Sequence, residues 1–178
     1  MIFLATELEG AYIIEPEQLA DERGFFARTW CAETFIEHGL PGHLSQCSIA
    51  FNHKKGTLRG MHFQEAPYAE AKLVRCTMGA IYDVIIDLRL GSPTYRQHIG
   101  VELTAQNRRQ LFVPEGFAHG YQTLEDNTEV FYQMNVPYAP GAGRGVRWDD
   151  PAFGITWPAD ERIMNERDRD WPDYSWEA

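Results

Sequence analysis

Short runs of β-type residues, separated by glycine, proline and other turn formers, dominate the middle of the chain. Leu44–Asn52 gives way to the turn-like Lys54-Lys55-Gly56, and then to Thr57–Gln64. Lys72–Thr77 meets a turn at Met78-Gly79 before Ala80–Arg89, which Gly91-Ser92-Pro93 terminates. Tyr95–Thr104, Gln110–Val113, Ala118–Leu124 and Glu129–Tyr138 complete the series. Strands at this spacing predict an all-β sandwich or barrel. Helical signals are sparse: Ala32–His38, closed by Gly39, and a short turn near Asn165–Asp170.

The clearest alternation is in Ala80–Arg89. Its even positions, Ala80, Tyr82, Val84, Ile86 and Leu88, are all apolar, whereas the odd ones mix Ile81 and Ile85 with Asp83, Asp87 and Arg89. The expectation is one face buried against a second layer and one partly polar face lining a cavity. No repeat or low-complexity linker interrupts the pattern, so residues 1–178 are read as a single domain.

Composition changes the picture mainly through charge. With 16 basic and 26 acidic residues, the net charge is −10, which argues against nucleic acid or an anionic membrane as partner. Three cysteines without paired spacing fit a reducing compartment better than a disulfide framework. The start, Met1-Ile-Phe-Leu-Ala5, lacks the basic flank and long apolar stretch of a signal peptide, so a cytoplasmic location is expected.

Two of the six histidines have informative neighbours. His62 sits in the strand-like Arg59-Gly-Met-His-Phe-Gln64, and His119 ends Pro114-Glu-Gly-Phe-Ala-His119. The second segment has the Pro-x-Gly-x-x-His spacing of the cupin barrels. The first cupin motif would supply a second histidine where Gln64 stands. Two histidines without a third ligand make a poor transition-metal site, so no metal is expected.

Several ordered segments resemble the dTDP-4-dehydrorhamnose 3,5-epimerase family. They are Asp21-Glu-Arg-Gly-Phe-Phe26, Leu58-Arg-Gly-Met-His-Phe-Gln64, Lys72-Leu-Val-Arg-Cys76, Tyr82-Asp-Val-Ile-Ile-Asp87, Ser92-Pro-Thr94, Pro114-Glu-Gly-Phe-Ala-His-Gly120 and Phe153-Gly-Ile-Thr-Trp-Pro158. The resemblance covers nearly the whole chain. It implies a cupin-type jelly roll, a homodimer, no metal or organic cofactor, and a nucleotide-sugar substrate carrying a 4-keto-6-deoxyhexose.

In that chemistry a C4 ketone acidifies the protons on C3 and C5. Inversion needs a base on one face, charge stabilisation at O4 and an acid on the other face. By resemblance His62 is the base, Asp168 orients it, Lys72 faces the enolate and Tyr132 returns the proton. Arg23 and Arg59 match arginines that grip the nucleotide part, and Gln46 and Tyr138 match positions near the base. His119 and Asp83 are expected as supporting polar groups in the same cavity. Strand alternation sets Arg59 and His62 on opposite faces, unless the strand bends at Gly60 or Arg59 serves a site shared across a dimer.

Two departures lie where base and ribose would bind. Arg28 stands where many members carry glutamate, and Gln46-Cys-Ser48 replaces a Gln-Asp-Asn segment. They leave the nucleobase preference open. Alternative readings are an epimerase acting at C3 or C5 only, a 3,4-ketoisomerase, and a non-catalytic sugar-binding cupin. With an anionic substrate and an acidic chain, Arg23, Arg59 and Lys72 are expected to form a local basic pocket.

Overall fold

A computed structural model describes residues 1–175. In chain order the elements are β1 (Ile2–Ala5), β2 (Tyr12–Glu15), β3 (Leu19–Asp21), β4 (Gly24–Phe26), α1 (Ala32–Glu37), β5 (Gln46–Asn52), β6 (Leu58–Gln64) and β7 (Lys72–Met78). They continue with β8 (Ala80–Asp87), β9 (His98–Thr104), β10 (Gln110–Val113), β11 (Phe117–Thr123), β12 (Thr128–Met134), β13 (Gly143–Gly145) and α2 (Glu166–Arg169). Two antiparallel sheets face each other, ordered β1-β2-β10-β7-β12-β5 and β13-β6-β11-β8-β9, while β3 and β4 form a separate hairpin. This is the jelly-roll type of sandwich, in which most neighbouring strands are distant in sequence.

The core lies between the sheets. Val74, Leu111 and Val130 of the six-stranded sheet meet Ile81, Ile85, Leu103 and Phe117 of the five-stranded one, all essentially without solvent exposure. Each such side chain contributes about 1.5–3 kcal/mol through burial. The outer face of the six-stranded sheet is covered over Ile14, Leu73 and Phe112 by Phe35 of α1.

Strand β8 corrects the sequence expectation. Both of its faces are buried. The odd positions Ile81 and Ile85, not the even ones, face the opposite sheet. The even positions Val84 and Ile86 are covered from outside by Val146, Phe153 and Trp157. The segment after β13 therefore acts as a third layer, which alternation within β8 alone does not reveal. Aromatic residues near the C-terminus also dock: Arg167 overlies Trp171 at 5.4 Å, and the Tyr174 ring lies 5.1 Å from Phe153. Trp176 lies outside the described residues.

Candidate active site

On the β5 and β6 side of the sandwich the interior changes from apolar to polar and opens as a cleft with two adjoining lobes of about 270 and 190 Å³. His62, Lys72 and Tyr132 line both lobes. His62 comes from β6 in the five-stranded sheet, and Lys72 and Tyr132 come from β7 and β12 in the six-stranded sheet. The histidine and the phenol thus stand on opposite walls.

The strand bends at Gly60. His119 pairs with His62 and Tyr121 with Arg59, so two steps on β11 oppose three on β6. This one-residue bulge resets the alternation, and Arg59 and His62 line the same lobe. Only glycine suits the bend: Gly60 has φ +134°, and a Cβ there would lie 2.5 Å from Gly120 Cα.

His62 Nε2 is 2.7 Å from Asp168 Oδ1. Asp168 is buried, at 2% exposure, and its Oδ2 accepts from the Gly60 N–H at 3.2 Å. Its own N–H donates to Asn165 Oδ1, which caps α2 and fixes the carboxylate below the ring. Burial alone would raise the Asp168 carboxyl, but the His62 hydrogen bond and charge, the Gly60 N–H and Arg167 hold it below 3.8. Asp168 is therefore ionised, and Nε2 carries the proton it donates. The lone pair is left on Nδ1, as a general base requires.

Burial pushes the Tyr132 phenol above 10.0; the Arg59 charge opposes that and the Glu70 charge adds to it. The phenol is consequently a neutral acid at physiological pH. Lys72 Nζ lies 3.1 Å from Glu70 Oε1, with both side chains largely buried.

The remaining candidates separate into groups. Arg59 remains exposed, with its Nε anchored 2.8 Å from Asn52 Oδ1, so the rest of its fork faces the mouth. Gln46 and Tyr138 meet in the larger lobe, where the Tyr138 N–H donates to Gln46 Oε1 at 3.1 Å. Ser48 lines the same lobe, whereas Arg28 is exposed and lines neither lobe. His119 lines the smaller lobe, and Asp83 lies fully buried behind it, 2.8 Å from His119 Nε2. Asp83 therefore supports His119 without lining the cleft.

Arg23 stands apart. It sits at the tip of the β3–β4 hairpin with a side chain 83% exposed, paired to Asp21, outside both lobes of its own protomer. The structure brings Arg59 and Lys72 together and adds Arg144 and Arg167, which the sequence reading missed because β13 and α2 are too short to show a period or a recognisable motif. Carboxylates are not confined to the outside, because Glu70 and Asp168 line the cleft. Among the described residues, no group of three or more His, Cys, Asp or Glu is placed to hold a metal ion.

A jelly roll of the cupin type whose open side sets a carboxylate-bound imidazole opposite a buried phenol is suited to proton-transfer chemistry. Comparison with known proteins narrows the class. The family model described as dTDP-4-dehydrorhamnose 3,5-epimerase matches residues 5–175. A protein of that name from Methanothermobacter thermautotrophicus is 46% identical over 173 residues, which cover 95% of this chain and 92% of the relative. The crystal structure of the dTDP-4-dehydrorhamnose 3,5-epimerase from Elizabethkingia anophelis superposes with a TM-score of 0.95 at 37% identity, covering 98% of this chain and 96% of that one. The Bacillus anthracis enzyme, solved with TDP and PPi bound, gives 0.93 at 39% identity, covering 97% and 99%. The chain belongs to the dTDP-4-dehydrorhamnose 3,5-epimerase family.

Proposed function

We propose that this protein inverts C3 and C5 of a nucleoside-diphosphate-4-keto-6-deoxyhexose by removing a proton on one face and returning one on the other. The observation that carries this reading is the placement of His62 and Tyr132 on facing sheets across one cleft. A racemase-like step with a single residue would exchange the proton on one face only; two groups on opposite walls provide inversion.

His62, held by Asp168, takes the proton beside the ketone. The Lys72 ammonium, only 12% exposed, offsets the charge developing on O4. Tyr132 then protonates the enolate carbon from the other wall. Arg59, Arg144 and Arg167 supply positive charge for the diphosphate, and Gln46, Ser48 and Tyr138 form the lobe for the nucleoside. The TDP-bound relative supports dTDP as the carrier.

We also propose a homodimer. Ile49 and Phe51 on the outer face of β5 are 61% and 41% exposed, and Phe26 on the hairpin is 66% exposed. Trp30, in contrast, packs against Phe35 within the protomer. A second copy covering the apolar faces would also bring the exposed hairpin, and Arg23 with it, towards a neighbouring cleft. The free cysteines support a reducing, cytoplasmic setting.

The test is product stereochemistry read by NMR after incubation with dTDP-4-keto-6-deoxyglucose. Inversion at both carbons is expected; inversion at one carbon, or a ketone moved to C3, would replace this reading with one of its alternatives. Light scattering on wild type and on the double variant Ile49→Glu/Phe51→Glu tests the dimer, with a fall from twice the chain mass to the chain mass expected.

A further inference from the structure

Lys72 does not reach its place by strand geometry alone. Its side chain is a flexible four-carbon stem whose ammonium would sample several positions if unpartnered. In the cleft Nζ is held between two acceptors, Glu70 Oε1 at 3.1 Å and the His62 carbonyl at 3.4 Å. The Lys72 and Glu70 side chains are only 12% and 9% exposed, so the pair sits within the wall and not at its rim.

Glu70 is itself fixed. Its second oxygen, Oε2, accepts from Gln64 Nε2 at 3.0 Å. Gln64 is 4% exposed, and the same amide donates to the Tyr68 carbonyl at 3.0 Å and accepts from the Ala139 N–H at 2.7 Å. The amide is thereby locked to the two loops that join the sheets, between β6 and β7 and between β12 and β13. Gln64, Glu70 and Lys72 all line the larger lobe.

We propose that Glu70 is the positioning residue for Lys72, with Gln64 fixing Glu70, so that the ammonium is preorganised where the enolate oxygen develops. The inference rests on the proposed epimerisation and adds to it a residue outside the reacting set. A carboxylate beside the ammonium partly offsets its field, so the contribution of Glu70 is the place of the charge and not its strength. A glutamine would accept the Lys72 hydrogen bond at the same reach, but its NH2 would meet the Gln64 amide donor where Oε2 now accepts. An aspartate would keep the charge but fall one methylene short.

That contrast supplies the experiment. Glu70→Gln and Glu70→Asp are compared with wild type in steady-state turnover of dTDP-4-keto-6-deoxyglucose, and crystal structures of both variants locate Lys72 Nζ. In Glu70→Asp, kcat is expected to fall by about tenfold to a hundredfold, with KM changed by less than about threefold, because a displaced ammonium weakens transition-state stabilisation more than substrate binding. In Glu70→Gln, which keeps the reach but loses the anchor to Gln64, kcat is expected to fall by about threefold to tenfold, less than in Glu70→Asp, with Lys72 Nζ in place. Loss of turnover in Glu70→Gln with retention in Glu70→Asp would overturn positioning in favour of charge. Equal turnover in all three proteins, or an unmoved Lys72 in Glu70→Asp, would also overturn it. A wild-type protein that does not turn over this substrate would sink the epimerase reading instead, and the position of Lys72 in the two crystal structures would then decide this inference alone.

Discussion

His62 Nε2 and Asp168 Oδ1 lie 2.7 Å apart although 106 residues separate them in sequence. Because the carboxylate is ionised and buried, it selects the tautomer with the lone pair on Nδ1, and in the proposed reaction it would stabilise the imidazolium formed by proton abstraction. Asp168→Asn keeps the shape but can donate to Nε2, which reverses the tautomer. The expected outcome is a fall in kcat of about 10³-fold or more with nearly unchanged dTDP affinity. Steady-state kinetics together with calorimetric titration of dTDP would check it; a fall below tenfold would contradict the role given to Asp168.

Tyr132 is the acid of the account, and burial raises its phenol above 10.0. A raised phenol stays neutral up to a higher pH, so it does not limit kcat on the alkaline side until pH exceeds 10.0. Tyr132→Phe should lower kcat by about 10²-fold or more. A kcat profile from about pH 6 to about pH 11 is the measurement. A Tyr132-dependent alkaline limb near neutrality would refute the assignment.

Gly60 carries the bulge that turns Arg59 and His62 into one cleft. With φ +134° and Gly120 Cα only 2.5 Å from the place of a Cβ, alanine has no space and an unfavourable backbone. Gly60→Ala is expected to destabilise the protein by about 2–4 kcal/mol and to reduce turnover further than the loss of folded protein explains. Urea unfolding followed by activity per folded molecule separates the two effects.

Asp87 shows how the loop after β8 is secured. Burial alone would raise its carboxyl, but hydrogen bonds from Arg89, Ser92 and Thr94 bring it from 3.8 down to about 2. A depressed folded value contributes stability that is present above 3.8 and lost as pH falls through about 2. Asp87→Asn should therefore cost about 2 kcal/mol at neutral pH, and the difference from wild type should shrink as pH approaches 2. Urea titrations at neutral and acid pH would show whether the gap closes.

Much of this architecture was legible before any coordinates. Gln110–Val113 coincides with β10, and the runs containing β5 to β9, β11 and β12 differ from the observed strands by only a few residues at their ends. They were legible because β-branched and apolar residues lie between strong breakers. The short strands β2, β3, β4 and β13 carry too few residues for any period to show. The layer formed by Val146, Phe153 and Trp157 was missed because a covering segment without regular structure has no period at all.

The site was legible where resemblance named residue types on regular strands, as with His62, Lys72 and Tyr132. It was not legible where tertiary packing decides. Period two separated Arg59 from His62, and only the bulge reunites them. Arg23 is grouped with the other cations by resemblance and charge, yet at the exposed tip of its hairpin it lines neither lobe of its own cleft. Glu70 lies two residues before Lys72, and nothing in that spacing shows that its carboxylate meets the ammonium.

The central claim is proton exchange across a cleft with His62 on one wall and Tyr132 on the other. It is tested most directly by incubating the protein with dTDP-4-keto-6-deoxyglucose in deuterium oxide and reading deuterium at each carbon by NMR and mass spectrometry. Wild type should incorporate solvent deuterium at C3 and C5, and His62→Ala should incorporate essentially none. Absence of label from both carbons with folded wild type, or equal labelling by His62→Ala, would contradict the account.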